Sequence, residues 1–217
     1  MFDELLDDNI EQFDMNNTPS THSKSDAYKS FPKKEEVIRE PYLPVAFFID
    51  RDFPQEVKDK FYKLISQFIN KKYTVRVNGD DKEFNDRIKT LSDKYIEFHL
   101  PWKLFNDIDS KHYFSTLSSQ EIAKKHFSGW DKIPNSVRAF LSRNVRLLMG
   151  TKLNSPSLCL ITWSEDGAHT KAEVTQKTGK SSFIIKVASY YGFPVINLAR
   201  KEAIPILERN FQLNLTE

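Results

Sequence analysis

The residues best placed to do chemistry lie in Thr178-Gly179-Lys180-Ser181-Ser182, a polar stretch between a strand-like apolar run and a helix-like one. Gly-Lys-Ser at such a junction is how a phosphate-binding loop ends. The full motif needs a second glycine five residues before Gly179, and that position is Val174, so a Walker-type nucleotide site is rejected. A looser anion site remains. A helix N-terminus exposes unpaired N–H groups and a partial positive charge. Gly179 would let a ligand approach the backbone, Ser181 offers a hydroxyl and Lys180 a full charge. The same residues serve equally well as an ordinary helix start with a solvated lysine.

Other candidates carry less. The histidines are His22, His99, His112, His126 and His169; none forms a His-x-x-x-His pair or lies near the lone Cys159, so no metal site is expected from spacing. Glu165 and Asp166 follow a strand in a turn-rich loop, where solvated turn residues are commoner than catalytic ones, and no catalytic residue is assigned. Arg138, Arg143 and Arg146 fall on one helix, Arg138 and Arg146 two turns apart on one side and Arg143 elsewhere. A solvated face is the plain expectation. The alternative, a nucleic-acid track, needs exposed rings on which bases stack, for which Trp102, Phe105, Phe127 and Trp130 are available.

The elements that must position these residues follow from periodicity. Val45-Ala46-Phe47-Phe48-Ile49 reads as a strand covered on both faces. Pro54 suits a helix start, and Val57, Phe61, Leu64, Ile65 and Phe68 form a core-facing stripe to Asn70. Tyr73–Val77 is rich in β-formers, Asn78-Gly79 is a turn signal, a helix spans Lys82–Ser92, and Tyr95–His99 is a third strand. After an irregular aromatic segment come helices near Ser118–His126 and Pro134–Met149 and a strand over Leu158–Trp163. A polar loop over Ser164–Lys177 follows, then a helix over Lys180–Tyr191, a last strand over Phe193–Leu198 and a helix over Lys201–Asn210. Strands alternating with helices predict an open, mostly parallel Rossmann-like α/β sheet with helices on both faces.

That domain spans 41–217. Residues 1–40 differ: Met1–Asp14 is acidic, and Phe2, Leu5, Leu6, Ile10 and Phe13 share a helical face. We read it as a short amphipathic helix on an extended tether, either docked on its own domain or offered to a protein partner's groove. With Lys+Arg at 32 and Asp+Glu at 30, no global field points to nucleic acid or membrane, so any anion site is local. A single buried-type cysteine favours a reducing compartment. No apolar stretch approaches the ~20 residues that span a bilayer, and Met-Phe-Asp-Glu lacks the basic start of a signal peptide. A cytoplasmic location is expected.

His126-Phe127-Ser128-Gly129-Trp130, Arg143-Asn144, Gly150, Leu153-Asn154-Ser155-Pro156-Ser157, Trp163, Asp166-Gly167 and Phe193–Leu198 stand in one order and spacing. In this the chain resembles the C-terminal part of the bacteriophage DprA-like (DNA-processing protein A-like) proteins, within the SLOG group of Rossmann-like folds. The resemblance covers most of Pro41 to Ala199, strongly after Leu100 and faintly before it. It implies a nucleotide or phosphate site at the carboxyl ends of the strands. Where the family has a Gly-Ser-Arg loop, this chain has Ile49-Asp50-Arg51; where it has a small-residue loop, this chain has Arg76 and then Val77-Asn78-Gly79-Asp80-Asp81; where it has Gly-Gly-Thr, this chain has Gly179-Lys180-Ser181. Ile49 would put a side chain where a glycine lets phosphate approach. Asp50, Asp80 and Asp81 would repel an anion. The glutamate of phosphoribohydrolase relatives has no counterpart.

The expectation is a non-catalytic member that binds a nucleotide or single-stranded DNA through Arg51, Arg76, Gly79, Gly179, Lys180 and Ser181. Arg138, Arg143 and Arg146 would supply further nucleic-acid contacts, and Arg51, Arg76 and Gly179 would be neighbours. The alternatives are an adaptor working through Met1–Asp14 and, third, an enzyme acting on an N-glycosidic or phosphate bond. No cofactor or metal is called for, a homo-oligomer is compatible, and a phage origin would place the chain in the host cytoplasm or the virion.

Overall fold

The computed structural model describes residues 43–113 and 115–215; the acidic helix expected in Met1–Asp14 lies outside them. The elements run β1 (Pro44–Phe47), α1 (Gln55–Asn70), β2 (Thr74–Val77), α2 (Lys82–Lys89), β3 (Ile96–Phe98), α3 (Leu117–His126), α4 (Asn135–Met149), β4 (Leu160–Thr162), α5 (Ser181–Tyr190), β5 (Val195–Asn197) and α6 (Ala203–Phe211). All five strands are parallel, in the order β3-β2-β1-β4-β5. The fold is therefore the open α/β sheet that the alternating pattern predicts, parallel throughout.

Alternation along β1 divides the interior. Val45, Phe47 and Ile49 point into one core with Phe61, Leu64, Ile65 and Phe68 of α1, Ile88 of α2 and Leu207 of α6. Ala46 and Phe48 point into the other with Leu141, Val145 and Leu148 of α4 and Phe183, Ile184 and Val187 of α5. Period two in the strand and period 3.6 in the helices thus put helices on both faces. Each fully buried apolar side chain contributes about 1.5–3 kcal/mol, so both cores are needed to hold the central strand. Local signals start the helices. Asp81 caps α2 by accepting from the Phe84 N–H at 3.0 Å. Thr116 and Ser119 form a reciprocal capping box on α3.

From β1 the chain steps outward through β2 to β3, then crosses back through α3 and α4 to β4 on the other side of β1. That reversal opens a crevice beyond the carboxyl ends of β1 and β4, the place where open α/β sheets bind ligands. Among the described residues, no helix is long and apolar enough to cross a membrane.

Candidate functional site

The crevice holds a cavity of about 360 Å³. Its walls are Phe48 just after β1, Phe105 of the turn between β3 and α3, Phe127, Val137, Phe140 and Leu141 of the α3–α4 region, and Phe183 of α5; its polar groups are Asp50, Arg51, Asp80, Asn106, Arg143, Asn144 and Lys180. Loops after β1 and β2 and the start of α5 all reach it, so residues far apart in sequence meet there.

The polar groups are largely paired with one another. Lys180 Nζ lies 2.6 Å from Asp52 and 3.3 Å from Asp50. Burial pushes the Lys180 ammonium down, but Asp52 and Asp50 outweigh it and hold it above the ordinary lysine value. Burial pushes the Asp50 carboxyl up, against the pull of the Asp52 N–H and Lys180. Arg143, fully buried, grips Asp80 with both terminal nitrogens, at 2.7 and 2.9 Å. It also donates to the Asn78 carbonyl and, through Nε, to Asn144 at 2.9 Å. Asn78 in turn locks β1 to β2: its amide accepts from the Ile49 N–H and donates to the Ile49 carbonyl, each at 2.9 Å. A buried polar floor thus lies under an aromatic cleft.

The sequence candidates divide on this geometry. Arg51 and Lys180 do line one cavity, Arg51 with an exposed side chain at its rim. Gly179 sits beside Lys180 with φ +56° and open space where a Cβ would go. Arg76 does not join them: it lies within β2, buried, donating to Glu97, to the Ser155 carbonyl and to the Ser157 hydroxyl. The expected three-way meeting of Arg51, Arg76 and Gly179 is therefore not found, because Arg76 extends from a strand residue toward the Ser155–Ser157 loop rather than from a loop over the sheet edge. Ser181 is turned inward, its hydroxyl donating to the Trp163 carbonyl at 2.8 Å. Gly79 (φ +73°) is a turn position whose carbonyl accepts from Asn85 and Asn106. A Cβ there would meet Leu100 at 2.8 Å, so Gly79→Ala should lower stability by about 1–3 kcal/mol, read from the urea midpoint.

The arginine helix is not a solvated face. Arg143 and Arg146 are buried, and Arg146 donates to the carbonyls of Leu100 and His112 at 2.8 and 3.0 Å. Burial lowers its guanidinium to about 10, which still leaves it charged. Arg138 caps the turn at Trp130–Lys132 through the Trp130 and Asp131 carbonyls, so none of the three forms an open nucleic-acid track. Asp166 is not merely solvated: its carboxylate gathers the Ser164, Thr175 and Thr178 hydroxyls and the Ala168 N–H. Ile49, expected to block the cleft, points into the opposite core. Asp81 also faces away, capping α2 and pairing with Lys58 at 2.5 Å.

Comparison with protein-family models, curated proteins and solved structures finds no match for this chain. Geometry must carry the functional reading.

Spacing rules also missed one cluster. Glu97, His99 and His112 each present a ligand atom within 4.8 Å of the others. Glu97 and His99 are two apart on a strand and so share a face, a signal present in the sequence; His112 comes from a segment that bridges to His99 in parallel. Burial drives the His99 imidazole down to about 3. Burial pushes the Glu97 carboxyl up, but His99 and Arg76 overcome it and hold the group down to about 2.

Proposed function

We propose that this chain binds a nucleotide or short single-stranded DNA without chemistry, the base lying in the phenylalanine-lined cleft and a phosphate at the rim formed by Arg51 and Lys180. One observation carries the reading: a cavity walled by Phe48, Phe105, Phe127, Phe140 and Phe183 at the sheet's switch point, with Arg51 and Lys180 among its polar groups. Rings of this kind stack on any base. The acid groups refine the idea. Asp50 and Asp52 already neutralise Lys180, so a phosphate deep in the cleft would have to displace carboxylates; binding energy comes mainly from the base side. This is the reading the DprA-like resemblance suggests for a phage-type protein with a degraded phosphate cradle. Ile49 filling the cleft would have favoured the adaptor alternative, and Ile49 lies elsewhere.

The test is calorimetry on the intact protein with a nucleoside, the matching nucleoside monophosphate and a short oligodeoxynucleotide at moderate salt. Phe140→Ala should weaken all three by about tenfold, the scale of losing one base-stacking contact. Arg51→Ala combined with Lys180→Ala should weaken only the phosphorylated ligands, and chromatography should show each ligand recovered intact. If the wild-type chain binds none of the three, the reading fails.

A further inference from the structure

We infer that Glu97, His99 and His112 form a binding site for a divalent transition metal of the zinc class, separate from the cleft, with which the three share no lining residue. Two imidazoles and one carboxylate are a donor set suited to such an ion. The distances fit as well as the types. His99 Nε2 lies 3.5 Å from Glu97 Oε2, and His112 Nε2 lies 3.9 Å from Glu97 Oε1. Ligand atoms of a tetrahedral site with metal–ligand bonds of about 2.0–2.1 Å stand roughly 3.3–3.4 Å apart; the two contacts fall on different carboxylate oxygens, and His112 must move inward for all three residues to meet one ion. The two rings stack nearly parallel, 4.9 Å apart at 18°, so the His112 ring must also turn for both in-plane lone pairs to meet one ion.

Two further observations point to a ligand rather than to a closed polar core. His99 is completely buried, yet its Nδ1 has no hydrogen-bond partner in the structure and its Nε2 meets only Glu97 Oε2, at 3.5 Å and outside good hydrogen-bond geometry. A buried donor or acceptor left unmade is costly, and metal coordination at Nε2 would satisfy that nitrogen. The cluster also has the outer hydrogen bonds that orient metal ligands. Thr151 Oγ1 holds His112 Nδ1 at 2.7 Å, which leaves Nε2 turned toward Glu97, and Arg76 Nε steadies the carboxylate at 2.9 Å. A carboxylate has about four lone-pair positions, so Arg76 does not use up its capacity.

The Arg76 and Arg146 charges nearby oppose a dication and weaken the site without closing it. Three protein ligands leave a fourth position open, and Glu97, with 30% of its side chain exposed, gives solvent access to it. An open, three-ligand site holds an exchangeable ion rather than a purely structural one.

The experiment titrates the full chain, stripped with chelator and dialysed, with cobalt(II) and then zinc(II). Binding of one equivalent of cobalt should produce the visible bands of four- or five-coordinate cobalt, and zinc should displace it. Glu97→Gln and His112→Ala should each weaken binding by about tenfold or more, while His169→Ala, which removes a histidine paired with Glu173 elsewhere, should leave it unchanged. Absence of stoichiometric binding by the wild-type chain overturns the inference whether or not the variants fold. So does binding that persists unchanged in both folded ligand variants.

Discussion

Arg143→Ala is expected to lower the unfolding free energy by about 3–5 kcal/mol, the cost of breaking a buried ion pair by removing one partner. The guanidinium is 1% exposed and its partner Asp80 is 18% exposed, so water entering from the cleft replaces only part of what the variant loses. Truncation leaves the Asp80 carboxylate without the fork that neutralises it and strips the Asn78 carbonyl of a donor. Asn78 is the residue that ties β1 to β2 through the Ile49 backbone, so the damage reaches the central strands. Urea unfolding of the two single variants and of the double variant Asp80→Ala/Arg143→Ala measures the coupling. The double variant should be more stable than the sum of the single losses implies, because it removes the orphaned charge together with its partner. Arg138→Ala, on the same helix but held by neutral partners at the surface, the Trp130 and Asp131 carbonyls and the Asn135 side chain, should cost about 1 kcal/mol. A near-neutral Arg143→Ala would show that the polar floor of the cleft does not hold the loops together.

This contrast shows where sequence reasoning succeeds and where it stops. Runs such as Val45–Ile49 and the stripe of α1 announce their elements because burial acts through a fixed period, which any stretch of chain displays locally. Element order then implies the parallel sheet. Side-chain partnerships are different. Nothing local in Arg143, Asn78 and Asp80 says that a helix residue will reach across to two positions more than sixty residues earlier. The short polar motifs quoted from the sequence illustrate the point. Ser155 and Ser157 hold Arg76, Asn144 holds Arg143, and Asn197 fastens the loop at Ser164 and Ala168. These motif positions serve the internal polar network of the fold, whereas of the phenylalanines that wall the cleft only Phe127 belongs to such a motif. An internal network of this kind by itself specifies no ligand. The Glu97–His99 pair was legible as two same-face residues on a strand, but its third member, His112, required the fold.

In chelator-treated protein, stability is expected to decline steadily as pH falls below about 6.5, by about 2 kcal/mol at pH 5, through His99. The sign follows from where the proton binds. Burial holds the folded imidazole near 3, against 6.5 for an unperturbed histidine. Between those values the unfolded chain takes up a proton that the folded chain refuses, so acid favours unfolding at about 1.4 kcal/mol per pH unit. The stabilisation is complete above 6.5 and lost as pH falls toward 3. The groups facing His99 do not reverse this. Glu97 at 3.5 Å favours the proton, while the stacked His112 ring and the Arg76 guanidinium oppose it, and burial is the largest influence. Glu97, held near 2, adds a second loss of the same sign at more acid pH. His112, His126 and His169 are lowered too and add to the slope, so the informative quantity is the difference between wild type and His99→Gln. Urea midpoints at pH 7.5, 6 and 5 should converge for the two proteins, because glutamine cannot titrate. Parallel curves would mean that the imidazole protonates inside the fold, and that the space around His99 is open enough to solvate a charge.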